Sequence, residues 1–264
     1  MFGKNLRLER ITTKNKAVIL AFDHGFEHGP VPYTGIDISP KRILDIAVNG
    51  GADALMVHKG QLDMDDPKKF RDLGLIVKIS GRSNLSPKDS EIQEVVTTVE
   101  DAIAFGADAI ATTVYIGANK EPEMLESFSL VYHACMDYGM PLIGFMYPRG
   151  ANVKKKTDEA VVRYAARVGS ELGCDLIKTY YTGSRESWQR VVKDAFKPVV
   201  AAGGEVKPDI KSVYKMVEDA CSAGGAGVAM GRNVWEREDA VKVLKGICSI
   251  VHNGKTAAEA LKKV

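Results

Sequence analysis

The 264-residue sequence has no apolar run approaching the eighteen or so residues of a membrane span, and its first ten residues, MFGKNLRLER, lack the apolar stretch of a secretory signal. It also lacks a dominant charge: 36 basic and 34 acidic side chains are mixed along the chain, leaving a formal net charge of +2. Without a field of one sign, neither nucleic acid nor an anionic membrane is an expected partner, and any anion must be held by a local site. Cysteine is scarce, and Cys135, Cys174, Cys221 and Cys248 lie far apart without C-x-x-C pairing. That spacing argues against a zinc site and a disulfide scaffold and fits a reducing cytoplasm. No Pro/Ser-rich linker interrupts the chain, so residues 1–264 are expected to form one domain.

What is present is a repeated alternation. Short runs rich in Val, Ile, Leu and Ala are each followed by a longer charged stretch with helical spacing, the pattern of parallel strands joined by crossover helices. Eight such runs occur: 17–22, 52–58, 75–80, 108–114, 141–147, 175–180, 198–202 and 226–230. Three open on one phrase, Gly51-Ala52-Asp53, Gly106-Ala107-Asp108 and Gly173-Cys174-Asp175. The glycine there supplies a left-handed helix stop, so the repeat reads as structural. Eight strands with right-handed crossovers predict an α/β fold, a single closed (β/α)8 barrel, with an open doubly wound sheet as the alternative. In such a barrel the active site gathers at the C-terminal ends of the strands and the loops after them.

Those ends carry several chemistry-bearing residues. Lys178 sits inside the sixth run, where burial would lower its pKa and leave a neutral amine able to attack a carbonyl. The bland reading is a lysine paired with a carboxylate. Lys78 in the third run faces the same pressure and is an equal candidate, with Lys59 a weaker third; physical reasoning alone does not choose. Tyr147 closes the fifth run ahead of Pro148-Arg149-Gly150, where a phenol could pass a proton if cations such as Arg149 stabilised its phenolate. The first run ends in Asp23-His24-Gly25-Phe26-Glu27-His28-Gly29-Pro30. His24 and His28 would share a helix face, but the glycines and proline argue against a helix and so against zinc. Asp23 is better suited to orienting a lysine or stabilising a cationic imine. Gly203-Gly204 after the seventh run and Gly231-Arg232-Asn233 after the eighth would expose backbone N–H groups, and this is where barrels often hold phosphate. Gly224-Gly225-Ala226-Gly227 precedes a strand and so does not make a dinucleotide fingerprint.

These phrases together, with Tyr181-Thr182-Gly183 and Val234-Trp235, resemble the archaeal-type class I fructose-bisphosphate aldolases over nearly the whole chain. The resemblance implies reversible cleavage of a phosphorylated sugar through a lysine Schiff base, without metal or organic cofactor. It implies Lys178 as the imine-forming lysine, Tyr147 as acid–base, and Asp23 beside the imine. Gly203, Gly204, Gly231 and Arg232 would form the phosphate site, with Arg149 and His24 further substrate contacts. A homo-oligomer, in the form of a large ring-based assembly such as a decamer, is also implied. Glu205-Val206-Lys207 stands where Pro-Lys usually follows the two glycines, which puts Lys207 in question. A sister branch, the 2-amino-3,7-dideoxy-heptulosonate synthases, shares most of the phrases. Leu6 to Ile11, Val57-His58-Lys59-Gly60 and Met140 to Ile143 are similar to that branch, whereas Glu27-His28-Gly29-Pro30 is similar to the aldolases. A bifunctional enzyme and a non-catalytic phospho-sugar-binding barrel are the remaining alternatives.

Overall fold

The eight runs form a closed barrel in a computed structural model that describes residues 1–30, 36–62, 67–85 and 91–262. The barrel strands are β1 (Ala17–Ala21), β2 (Ala54–Val57), β3 (Gly74–Lys78), β4 (Ala109–Ile116), β5 (Leu142–Pro148), β6 (Leu176–Tyr180), β7 (Val199–Ala202) and β8 (Gly227–Met230). Each pairs in parallel with its sequence neighbours, and β8 returns to β1 through Ala17↔Gly227 and Leu20↔Met230. Nearly every strand residue is buried because one face fills the barrel and the other packs on helices, which is why the sequence shows apolar runs without alternation. Ile19, Met56, Ile76, Ala111, Ile143, Leu176 and Val200 fill the inner layer, while Leu20, Leu55, Val77, Ile177 and Val199 pack outward. Each Val, Leu, Ile or Met among them contributes about 1.5–3 kcal/mol on burial.

Two boundaries differ from expectation. β4 continues past Val114 to Ile116, since Tyr115 and Ile116 pair with Tyr147 and Pro148 of β5. β3 stops at Lys78, after which Ser80–Gly81 turns out to pair antiparallel with Glu94–Val95. No helix among the described residues is long and apolar enough to cross a membrane.

The Gly-Ala/Cys-Asp phrase proves to be a strand clamp at the N-terminal end. Gly51, Gly106 and Gly173 hold φ of 77°, 84° and 87°, a region that other residues enter only with strain. The aspartate two positions on then reaches back to the start of the preceding strand. Val18 N donates to Asp53 at 2.6 Å, Leu75 N to Asp108 at 2.9 Å and Leu142 N to Asp175 at 2.9 Å. The helix Phe2–Ile11 lies against this end, its Arg10 and Lys4 pairing with Asp108 and Asp175 at 2.6 and 2.9 Å. One end of the barrel is thereby closed and charge-balanced, and the other is left open.

Candidate active site

The open end holds a cavity of about 910 Å³. Lys178, Lys78, Tyr147, Asp23, Arg149, His24, Gly203, Gly204, Gly231 and Arg232 all line it, whereas Lys59, the third candidate lysine, does not and instead donates to Val96 O at 2.7 Å.

The two leading candidate lysines, Lys178 and Lys78, both reach it, in different states. They flank the Phe145 ring, Lys178 Nζ at 4.1 Å and Lys78 Nζ at 5.3 Å from its centroid. Lys78, 3% exposed, donates to Ser80 O at 2.6 Å, Ser80 Oγ at 3.1 Å and Gln93 Oε1 at 3.4 Å, which occupies all three of its protons. The Lys178 amine makes no hydrogen bond among the described residues. Burial pushes Lys178 below its ordinary range, with Asp23 opposing that shift. Burial likewise lowers Lys78 to about 8, with Asp23 and Glu27 opposing. For Asp23, burial raises the pKa but Lys178, Lys78 and His58 outweigh it, so its carboxyl lies below the usual range and is ionised. His58 helps to fix this wall, its Nδ1 lying 2.9 Å from Lys78 O.

Tyr147 stands at the end of β5 with its ring stacked on Tyr180 at 4.5 Å and edge-on to Phe145 at 5.8 Å. Burial raises its pKa well above that of free tyrosine, so the resting group is a phenol and not a cation-stabilised phenolate. Arg149 opposes that rise without overcoming it, its charge being shared with other partners. Its Nη1 donates to Glu27 Oε1 at 2.7 Å and to Tyr115 Oη at 3.1 Å, and its Nε to Tyr180 Oη at 3.1 Å. Glu27 is raised by burial but pulled further down by Arg149, and is ionised.

Across the cavity the two glycine loops are tied together by Asn233. Its Nδ2 donates to Gly203 O at 2.9 Å and Glu205 O at 3.0 Å, and its Oδ1 accepts from Lys207 N at 2.8 Å. Gly231 lies so near β1 that a Cβ there would be 2.5 Å from Ala21 O. The short helix Arg232–Trp235 follows, and Trp235 Nε1 donates to that same carbonyl at 2.9 Å. Arg232 Nη2 reaches Gly204 O at 3.4 Å, and Lys156 Nζ pairs with Glu205 at 3.2 Å, across from the loop after β5.

One expectation is corrected. Residues His24–His28 do form a short helix, because Gly29 ends it at φ 72° and Pro30 lies beyond that end; the breakers terminate the turn without interrupting it. The two imidazoles then stack at 4.2 Å, 21° from coplanar, and do not converge on a common point. Burial first, then Arg232 and His28, lower His24 to about 4, so it is a neutral ring beside the glycine loops.

Sequence reasoning missed Tyr115, Gln93 and His58 as parts of the site, and read Glu27 only as a member of a cluster. Tyr115 was hidden by ending β4 two residues too soon, at Val114 and not Ile116. Gln93 lies in a loop segment whose pattern carries no signal.

A family model described as DeoC/LacD family aldolase matches residues 17–237. The chain is similar to the class 1 fructose-bisphosphate aldolase of Halobacterium salinarum, 34% identical over 258 residues covering 96% of this chain and 97% of that protein. It is similar to the enzyme of the same description from Thermoproteus tenax, 35% identical over 253 residues covering 94% of each. The solved structure of a Schiff-base-forming fructose-1,6-bisphosphate aldolase matches with a TM-score of 0.88 at 32% identity, covering 94% of this chain and 100% of that one. With the barrel, the cavity and these likenesses in agreement, the chain belongs to the DeoC/LacD aldolase family.

Proposed function

We propose that the chain is a class I fructose-bisphosphate aldolase, a carbon–carbon lyase in which Lys178 forms the imine. The observation that carries the reading is the contrast between two buried lysines on one aromatic ring: Lys78 has its protons committed to three acceptors, whereas the Lys178 amine is uncommitted and opens into the cavity. Burial favours its neutral form, which is the nucleophile.

In the cleavage direction, the Lys178 nitrogen bonds to the ketone carbon of fructose 1,6-bisphosphate, giving a carbinolamine. Tyr147, a phenol at rest, gives its proton to the departing hydroxyl, which leaves as water. The product is a cationic imine beside a phenolate, and ionised Asp23 faces the new cation. Tyr147 then takes the proton of the C4 hydroxyl as the C3–C4 pair flows into the imine, releasing glyceraldehyde 3-phosphate and leaving an enamine. Protonation at carbon and hydrolysis return dihydroxyacetone phosphate and the free amine. Gly203, Gly204 and Gly231 supply close backbone approach for one phosphate, with Arg232 adding charge. Arg82, Lys155, Lys156 and Lys207 also line the cavity, which suits a substrate with two phosphates. Arg149 and His24 are further contacts, Arg149 through the part of its fork not used by Glu27 and the tyrosines. Fixing both phosphates places the scissile bond against the imine, an effective-concentration gain of several kcal/mol.

The reading extends to one barrel domain working as a homo-oligomer, up to a decamer, in the cytoplasm. Four free thiols and the exposed apolar side chains Phe2, Leu6 and Leu130 support this, and light scattering at working concentration measures the assembly. The test of the chemistry is borohydride reduction with fructose 1,6-bisphosphate followed by peptide mapping. Label on Lys178 is expected; label on Lys78 alone refutes the assignment. Parallel incubation with aspartate semialdehyde and a deoxy-ketohexose phosphate reads any transaldolase turnover.

A further inference from the structure

We infer that Glu27 is a positioning residue for the proton step, fixing the ring of Tyr147 through Arg149 and Tyr180; the inference rests on the role proposed above for Tyr147. The Tyr147 hydroxyl makes no hydrogen bond among the described residues. Its place is therefore set by ring contacts, of which the stack on Tyr180, with ring planes 25° apart, is the closest. Tyr180 in turn is anchored at its own hydroxyl by Arg149 Nε.

Arg149 follows Pro148 on the loop that leaves β5, and a long side chain there has many rotamers open to it. Glu27 removes that freedom. It comes from the helix after β1, four strands away from β5 in either direction round the barrel, so the contact spans the mouth. Its Oε1 accepts from Arg149 Nη1 at 2.7 Å and from Tyr115 Oη at 3.2 Å, and Tyr115 also lies under the guanidinium at 4.5 Å from its ring centroid. Gln93 Nε2 donates to Tyr115 Oη at 2.6 Å, which locks the far side. One bonded chain thus runs Glu27 to Arg149 to Tyr180 and ends on the face of Tyr147.

The ion pair is half-buried, and such pairs hold geometry more dependably than they add stability. A cation already matched by a carboxylate is also a weak trap for phosphate, so the arrangement serves alignment better than substrate charge recognition. In the full-length chain, Glu27→Gln keeps the side chain's shape and weakens its grip on Arg149, while Tyr180→Phe keeps the stack and frees the ring from Arg149.

The experiment is a double-mutant cycle on fructose 1,6-bisphosphate cleavage, with circular dichroism on each variant and Glu27→Asp replacing Glu27→Gln should the latter not fold. Each single change is expected to lower kcat about tenfold with KM within about twofold, and the double variant to be no slower than the slower single, because both break one chain. Losses that multiply, losses that fall in KM, or a Tyr180→Phe enzyme at the parent rate would overturn the inference. Tyr147→Phe run beside them separates the two claims. If it turns over at the parent rate, the role of Tyr147 itself fails; if it is slow while the cycle is additive, only the positioning by Glu27 fails.

Discussion

Removing the charge of Lys78 should make Lys178 harder to deprotonate, and the size of the effect can be worked out. Their contacts with Phe145, at 5.3 and 4.1 Å from the ring centroid, hold the two nitrogens within roughly 9 Å, where like charges repel by about 2 kcal/mol at an effective dielectric near 20. Lys178 is among the causes that lower Lys78, whereas burial and Asp23 are the causes at Lys178; because repulsion between two charges is mutual, the separation of the nitrogens sets the size of the effect at both. Lys78, pushed down to about 8, remains largely cationic at neutral pH and so exerts this effect where the enzyme would work. The other groups that interact with Lys78, the carboxylates of Asp23 and Glu27 and the imidazole of His58, are chemically unaltered by the substitution. Since one pKa unit is about 1.4 kcal/mol, Lys78→Met should raise the pKa of Lys178 by about one unit. The acidic limb of kcat/KM for cleavage then moves up by the same amount, and the rate below it falls about tenfold, because only the neutral amine attacks. Lys78→Arg, which keeps the charge, should hold the limb near its original place. An acidic limb that stays put in Lys78→Met, with near-ultraviolet dichroism unchanged, refutes the electrostatic coupling.

Stability carries its own signature of Lys78. Its folded pKa lies below the free value of 10.5, so the unfolded chain binds more protons between about pH 8 and 10.5, and stability to urea should rise with pH through that window. Lys78→Met should flatten this rise; an unchanged slope would assign it to other groups. Tyr147→Phe should lower kcat about a hundredfold or more, within the range for loss of a positioned proton donor, while the secondary structure is kept; stopped-flow or coupled assay reads it directly. Asn233→Ala removes three half-buried hydrogen bonds that join the two glycine loops, so KM for the bisphosphate should rise about tenfold or more with melting temperature lowered, and an unchanged KM would dissociate those loops from phosphate binding.

The barrel was legible because parallel strands buried on both faces must be apolar throughout, and eight such runs leave few topologies. The errors have physical causes of the same local kind. Ending β4 at Val114 followed the loss of aliphatic character at Tyr115, yet the strand continues because β5 offers it Tyr147 and Pro148 as partners. Reading Gly25, Gly29 and Pro30 as helix breakers weighed them by kind, whereas in a five-residue helix their position decides. Gly29 and Pro30 are at or beyond the end, and a Cβ at Gly25 would meet nothing within 4 Å, so nothing there opposes the turn. The Lys78–Lys178 tie could not be broken from the chain alone, because what distinguishes the two amines is Gln93 and the turn at Ser80, and neither follows from strand periodicity.

Four aspartates show why position relative to a strand says more than residue type. Asp53, Asp108 and Asp175 each precede a strand, and at the N-terminal ends of parallel strands the exposed backbone groups include N–H donors that a carboxylate can accept. There they find Val18, Leu75 and Leu142, and their charge is spent on holding the barrel shut. Asp23 follows a strand. At that end carbonyls outnumber free donors, so its carboxylate must be stabilised by something else, and what faces it is Lys178, Lys78 and His58. A carboxylate whose strongest partners are two amines cannot be released from them without cost, and an amine facing it becomes more stable when it turns into a cationic imine. The open end is therefore where one buried carboxylate can favour a change of charge on lysine, and the same residue moved to the closed end could only staple strands.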